Sequence, residues 1–260
     1  MKKRWETCLV AFSMYSRIPV PQVAWNDENM KYAVCAFPLI GLVIGFLEWI
    51  WSAVAAHAAF SPSLRAAVLV VIPILVTGGI HLDGLLDTAD AEASHLDRER
   101  RLEIMEDSCS GAFAIICCGA YLLLFFGVFS QLPHERMPQL LMVFLASRSL
   151  SGYALLKFDK AKDSGLLKTF SDAAMNYRAS RILTGFLAGA ALVLILTAPG
   201  PGFAACIAAG LCFFIYRRRS YKIYGGITGD LAGAFLCLTE LAMVFCLAVF
   251  WSGILNGAAG

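Results

Sequence analysis

Apolar residues fall into seven long runs with soft edges: Val34–Ala56, Ala66–Ile80, Gly111–Ser130, Gln139–Leu156, Ile182–Ala198, Gly202–Tyr216 and Leu231–Trp251. Crossing a bilayer as a helix takes about 20 mostly apolar residues, somewhat fewer when the segment is tilted. The pattern therefore predicts an all-α, polytopic transmembrane helical bundle of about seven segments. The second and sixth runs are short enough to be tilted or re-entrant pieces. Residues 1–33 read as an N-terminal interfacial segment: Glu6 interrupts its apolar stretch, Leu9–Phe12 is short, and no small-residue cleavage pattern follows. Polar loops at 81–110 and 157–181 are the longest interruptions. With no internal repeat or low-complexity linker, residues 1–260 read as a single integral membrane domain.

Composition strengthens this reading. The chain is 59% hydrophobic and only 15% charged, with a mean hydropathy of +0.69, whereas a soluble domain carries about 25% charged residues. A net charge of +2 excludes a basic nucleic-acid binder, and the apolar content excludes disorder. Basic residues sit in alternate loops: Lys2, Lys3, Arg4, Arg17 and Lys31 precede the first run, and Arg98, Arg100 and Arg101 follow the second. Lys157 to Arg181 lie between the fourth and fifth runs, and Arg217–Arg219 with Lys222 follow the sixth. The intervening loops hold only Arg65 and Arg136, which predicts a cytoplasmic N-terminus. The nine cysteines are odd in number and form no C-x-x-C pair, so they read as small buried hydrophobes in a reducing compartment.

Both loops large enough to hold a site fall on the predicted cytoplasmic side, one acidic and one basic. Within Thr77-Gly78-Gly79-Ile80-His81-Leu82-Asp83-Gly84-Leu85-Leu86-Asp87-Thr88-Ala89-Asp90, a helical backbone puts Asp83, Asp87 and Asp90 at i, i+4 and i+7 on one narrow face. Three stacked carboxylates repel unless a cation lies among them, and hard oxygen ligands suit Mg²⁺. A solvated acidic face is the commoner fate of a charge run. It fits poorly here, because the segment emerges from a membrane span with Leu82, Leu85 and Leu86 on its other side.

Other residues are less sharply defined. His81 suits a general base, a phosphate contact or an interfacial histidine. Glycines 78, 79 and 84 suit a helix break or close helix packing. Ser94-His95-Leu96-Asp97 has the form of a capping box. Asp107, at the entrance to the next span, is a candidate fourth carboxylate. Gly225-Gly226-Ile227-Thr228-Gly229-Asp230 could cradle phosphate on backbone N–H groups, with Asp230 as an ordinary first-turn acid. Glu48, Arg148 and Glu240 lie within spans, and each needs a partner or a wet cavity.

Taken together these residues resemble the cobalamin synthase family, the adenosylcobinamide-GDP ribazoletransferases. The resemblance begins at Ser16-Arg17-Ile18-Pro19-Val20-Pro21 and Phe37-Pro38-Leu39-Ile40-Gly41, and it is strongest in the HLDG-x2-DTAD string from His81 to Asp90. It continues through Arg100 to Ser108, Gly111 and Ser164-Gly165-Leu166, and ends at Gly225 to Asp230. Ser16, where threonine is expected, and Cys109-Ser110 depart from the family pattern.

The resemblance implies a multi-pass enzyme of the bacterial cytoplasmic (inner) membrane. It would join adenosylcobinamide-GDP, a corrinoid nucleotide, to α-ribazole or its 5′-phosphate and release GMP. It implies Mg²⁺ on Asp83, Asp87 and Asp90, and catalytic roles among His81, Asp107 and Asp230. Substrate contacts would come from Arg17, Lys160, Lys162, Lys168, Gly225, Gly226, Thr228 and Gly229. No nucleic-acid partner is expected, and homo-oligomers are compatible with the sequence. Two other readings stand beside this one. A phosphotransferase joining a nucleotide-activated lipid head group to an alcohol would use the same aspartates. A secondary transporter would use Glu48, Arg148 and Glu240 as coupling groups.

Overall fold

The structure, a computed structural model, describes residues 2–30, 32–161 and 177–256. Its helices are α1 (Lys2–Tyr15), α2 (Ala33–His57), α3 (Pro62–Thr77), α4 (Ile80–Ala93), α5 (Arg98–Ile104), α6 (Ala112–Gln131), α7 (Met137–Lys157), α8 (Tyr177–Thr197), α9 (Pro199–Arg219) and α10 (Gly229–Asn256). Single turns occur at Asp27–Met30, His134–Arg136 and Ser220–Tyr224. Among the described residues the one β-type pairing is an isolated bridge between Lys160 and Ile227.

Six helices, α2 and α6 to α10, are long and apolar enough to cross a membrane. The predicted runs match them to within a few residues at most ends. The second run differs. Its helix stops at Thr77 rather than Ile80, and α3 and α4 meet the length criterion only as a pair bent by 95°. The cause is local: Gly78 and Gly79 adopt φ of +68° and +82°, a left-handed conformation that glycine reaches without steric cost. The acids of α4 therefore follow the elbow and lie outside the six helices that are each long enough to cross alone. A second correction concerns α5, whose N-cap is Asp97 and not Ser94. The Asp97 carboxylate accepts the Arg100 N–H at 3.0 Å, while the Ser94 hydroxyl donates back to the Ala91 carbonyl at 2.7 Å.

The centre of the bundle is α7, which packs on α2, α8 and α10 and buries most of its length. Gly41 and Gly45 make the α2–α7 contact. A Cβ on Gly41 would collide with the Phe144 carbonyl oxygen, and one on Gly45 would fall 2.6 Å from Leu141 Cα. Small residues spaced by four let membrane helices approach backbone to backbone. The outer helices turn Leu75, Ile115, Leu123, Leu196 and Phe214 outwards, each more than half exposed. Such a surface would aggregate in water and is the ordinary exterior in lipid.

Polar side chains also occur inside the bundle. Arg148 on α7 forms a buried ion pair with Glu240 on α10, and the Ser147 hydroxyl donates to the same carboxylate at 2.7 Å. The guanidinium lies 5.9 Å from the Phe37 ring centre and 5.5 Å from that of Phe144. Of the alternatives open in sequence for Arg148, the structure selects an internal pair. Glu48 on α2 is fully buried, and neither of its carboxylate oxygens has a hydrogen-bond partner.

Candidate active site

Helix α4 begins at the glycine elbow, buries Leu85 and packs against α10, while Asp83 lines a cleft beside α1. Asp83, in its first turn, complements the helix dipole. It is exposed, whereas Asp87 and Asp90 are half-buried. The start of α10 presses directly on this helix at Gly84. A Cβ there would come within 2.7 Å of the Asp230 carbonyl oxygen. A Cβ on Gly233 would come within 3.0 Å of the His81 carbonyl oxygen. This backbone contact brings Asp230 to the acids of α4.

The electrostatics follow from that convergence. Burial, and then the charges of Asp83, Asp230 and Asp90, push the Asp87 carboxyl up from 3.8 to about 6. All the charged groups acting on it are acids. Asp90 also anchors the next helix. Its carboxylate accepts the N–H groups of Gly111 and Ala114, the latter at 2.8 Å, at the start of α6. A carboxylate at a helix N-terminus is favoured by the dipole and satisfies orphan donors. Asp90 is thereby held rigidly, with lone pairs to spare.

Among the described residues, no three His, Cys, Asp or Glu side chains close around a point as a complete ion cage. Mg²⁺ does not require one, since it keeps several waters and is usually held by one or two carboxylates plus substrate phosphates. The hard oxygens of Asp83 and Asp87, one turn apart on α4, are a donor set of that kind.

His81 sits in the first turn of α4, edge-on to Phe37 at 5.9 Å. Its Nε2 is buried without a hydrogen-bond partner. Burial, and next the charge of Arg148, hold its pKa down at about 3, so the ring is neutral. On the other side of α4 lies an open cleft of about 650 Å³ lined by Arg17, Gly78, Gly79, Asp83 and Leu86. The Arg17 N–H donates to the Val76 carbonyl at 2.8 Å. Its side chain lies where a Cβ on Gly78 would stand, 2.5 Å from Arg17 Cγ. Cation and acid thus face one cleft.

The remaining residues singled out in sequence are distributed differently. Asp107 is exposed on the turn before α6, where its Oδ1 accepts the Cys109 N–H at 2.9 Å, and it is not among the groups acting on Asp87. Lys160 Nζ donates to the carbonyls of Leu155 and Phe158 at the end of α7. In the glycine turn, the N–H groups of Gly225, Gly226 and Ile227 donate to the Tyr221, Ser220 and Asp159 carbonyls, respectively. Thr228 Oγ1 caps α10 by accepting the Leu231 N–H at 3.1 Å. Gly229 opens that helix. Lys162 and Lys168 lie outside the described residues.

Arg98 was not singled out by its sequence context. Its guanidinium donates to the Ala161 carbonyl at 2.8 Å and lies against Gly225, tying α5 to the glycine turn.

The family of cobalamin-5-phosphate synthases matches residues 7–248. A protein of Lachnoclostridium phytofermentans named adenosylcobinamide-GDP ribazoletransferase is 41% identical over 255 residues, 98% of each chain. Proteins of the same name from Clostridium perfringens (32% over 252 residues, 96% of this chain and all of the relative) and Desulfitobacterium hafniense (34% over 259 residues, 96% and 97%) are also similar. No solved structure matches the chain.

Proposed function

The chain belongs to the cobalamin-5-phosphate synthase family and is an enzyme of cobalamin assembly, and we propose that it joins adenosylcobinamide-GDP to α-ribazole or α-ribazole 5′-phosphate, releasing GMP. The observation that carries this reading is the gathering of Asp83, Asp87, Asp90 and Asp230, with Asp83 lining a cleft that also presents Arg17. A diphosphate is the substrate group that such a charge arrangement serves.

The ribazole 3′-hydroxyl oxygen bonds to the phosphorus nearest the cobinamide as the bond from that phosphorus to GMP breaks. Phosphoryl transfer of this kind depends mainly on positioning and charge stabilisation. Arg17 binds a non-bridging oxygen of the diphosphate. Neutral His81 accepts a hydrogen bond from the attacking hydroxyl and orients it. The hydroxyl proton passes to Asp230, because burial leaves His81 too weakly basic to take it and Asp107 stands apart on an exposed turn. Asp90, held by the start of α6, keeps the acid face of α4 in register. Asp83 and Asp87 would hold Mg²⁺, which when bound neutralises the diphosphate and stabilises the departing GMP. The distribution of basic loops supports a site on the cytoplasmic side of a bacterial cytoplasmic membrane.

The test supplies purified membranes with adenosylcobinamide-GDP and α-ribazole 5′-phosphate, with and without Mg²⁺. The expected result is a cobalamin 5′-phosphate and GMP only with the metal. Metal-independent turnover would overturn the ion assignment, and absence of product in both arms would overturn the reaction.

A further inference from the structure

A second cavity, of about 180 Å³, lies on the inner side of the acid helix. Its walls come from α1, α2, α4, α7 and α10, and they include Tyr15, Phe37, Leu155, Ile227 and Leu236. His81 and Asp230 line it too, and Met14 and Ile80 are shared with the Arg17–Asp83 cleft, so the two spaces adjoin. Resting on the transferase reading above, we propose that this cavity receives the flat heterocyclic base of the ribazole acceptor, while the ribose and diphosphate occupy the polar cleft.

Size and polarity select the occupant. At about 180 Å³ the cavity is too small for a corrin ring and below the usual range for a whole ligand. It therefore suits a single ring system. The donor offers one such group, guanine, whose several donors and acceptors would have to leave water for a mostly apolar wall. A benzimidazole-type base is apolar over both faces and has one free ring nitrogen. The Tyr15 and Phe37 rings, with centroids 4.5 Å apart, give it aromatic surface. Ser151 on α7 also lines the cavity and supplies a hydroxyl for the ring nitrogen. The base then lies next to His81 and Asp230, so its ribose hydroxyl reaches the groups that orient and deprotonate it.

The test compares α-ribazole 5′-phosphate with an acceptor carrying a smaller, unfused imidazole base. Ser151→Leu, which fills the cavity, should raise the KM for α-ribazole 5′-phosphate by about tenfold or more. It should raise the KM for the imidazole acceptor severalfold less, since that base loses the Ser151 hydroxyl but needs less of the filled space, and leave the KM for adenosylcobinamide-GDP within about twofold of wild type. Leu155→Ala, which enlarges the cavity, should shift preference toward acceptors with larger fused bases, and it carries the comparison if Ser151→Leu does not fold. Equal effects on both acceptors, or an effect confined to the adenosylcobinamide-GDP KM, overturn the proposal. Binding of α-ribazole alone to purified wild-type and Ser151→Leu protein separates this idea from the reaction itself. Binding that weakens in the variant while wild type shows no transfer would overturn the reaction and uphold the cavity. Normal transfer with binding unchanged in Ser151→Leu would overturn the cavity alone.

Discussion

Acidic side chains gather in two parts of this molecule, and the two groups are built on opposite principles. In the bundle core, Glu240 has its own cation: Arg148 pairs with it, Ser147 donates to it, and both Arg148 and Glu240 act on the buried Glu48. At the glycine elbow, Asp87 is surrounded by Asp83, Asp90 and Asp230, and all the charged groups acting on it are acids. The first set has a cation at hydrogen-bond distance inside the core; the second packs acids against one another beside an open cleft. The contrast teaches that acid count says little about function, whereas the location of the counter-charge says a great deal.

Four substitutions test that division. Arg148→Met strands Glu240 in the core, and breaking a buried pair costs about 3–5 kcal/mol. Thermal unfolding in detergent should show a large loss that Arg148→Met with Glu240→Leu partly restores. Asp87→Asn should instead leave unfolding almost unchanged and lower metal-dependent GMP release by about 10²–10³-fold. Near-normal turnover there would sink the division. Gly84→Ala places a methyl against the Asp230 backbone, and overpacking of this kind costs about 1–3 kcal/mol. It should reduce turnover more than stability, as judged by assaying both on one preparation. The smallest effect is expected for Arg219→Ala, which removes a solvent-accessible pair to Glu92. Exposed pairs contribute about 0–1 kcal/mol, so unfolding and turnover should both stay close to wild type.

Most of the bundle was legible in the sequence because lipid imposes long apolar runs, and those runs mark α2 and α6 to α10. The elbow was not, since Ile80 extends the apolar run while the backbone at Gly78 and Gly79 has already turned. Spacing alone placed Asp83, Asp87 and Asp90 on one helix. The arrival of Asp230 beside them depended on a long-range contact at Gly84, which no local pattern encodes. Charge and glycine content were the weakest guides. Lys160 turns its ammonium to carbonyls at the end of α7, and the Gly225–Ile227 amides are bonded within the protein. In both cases the partner lies close by in the fold, and composition does not name it.

The elbow has a consequence for how this enzyme can vary. Two successive left-handed residues set the angle between α3 and α4 through the main chain itself, and any side chain at 78 would meet strained backbone as well as Arg17. Single replacements can therefore spoil the angle and cannot tune it. A lineage that needed the acid helix aimed elsewhere would have to gain or lose residues at the joint, so inserted or deleted positions there are where divergent activities should be sought.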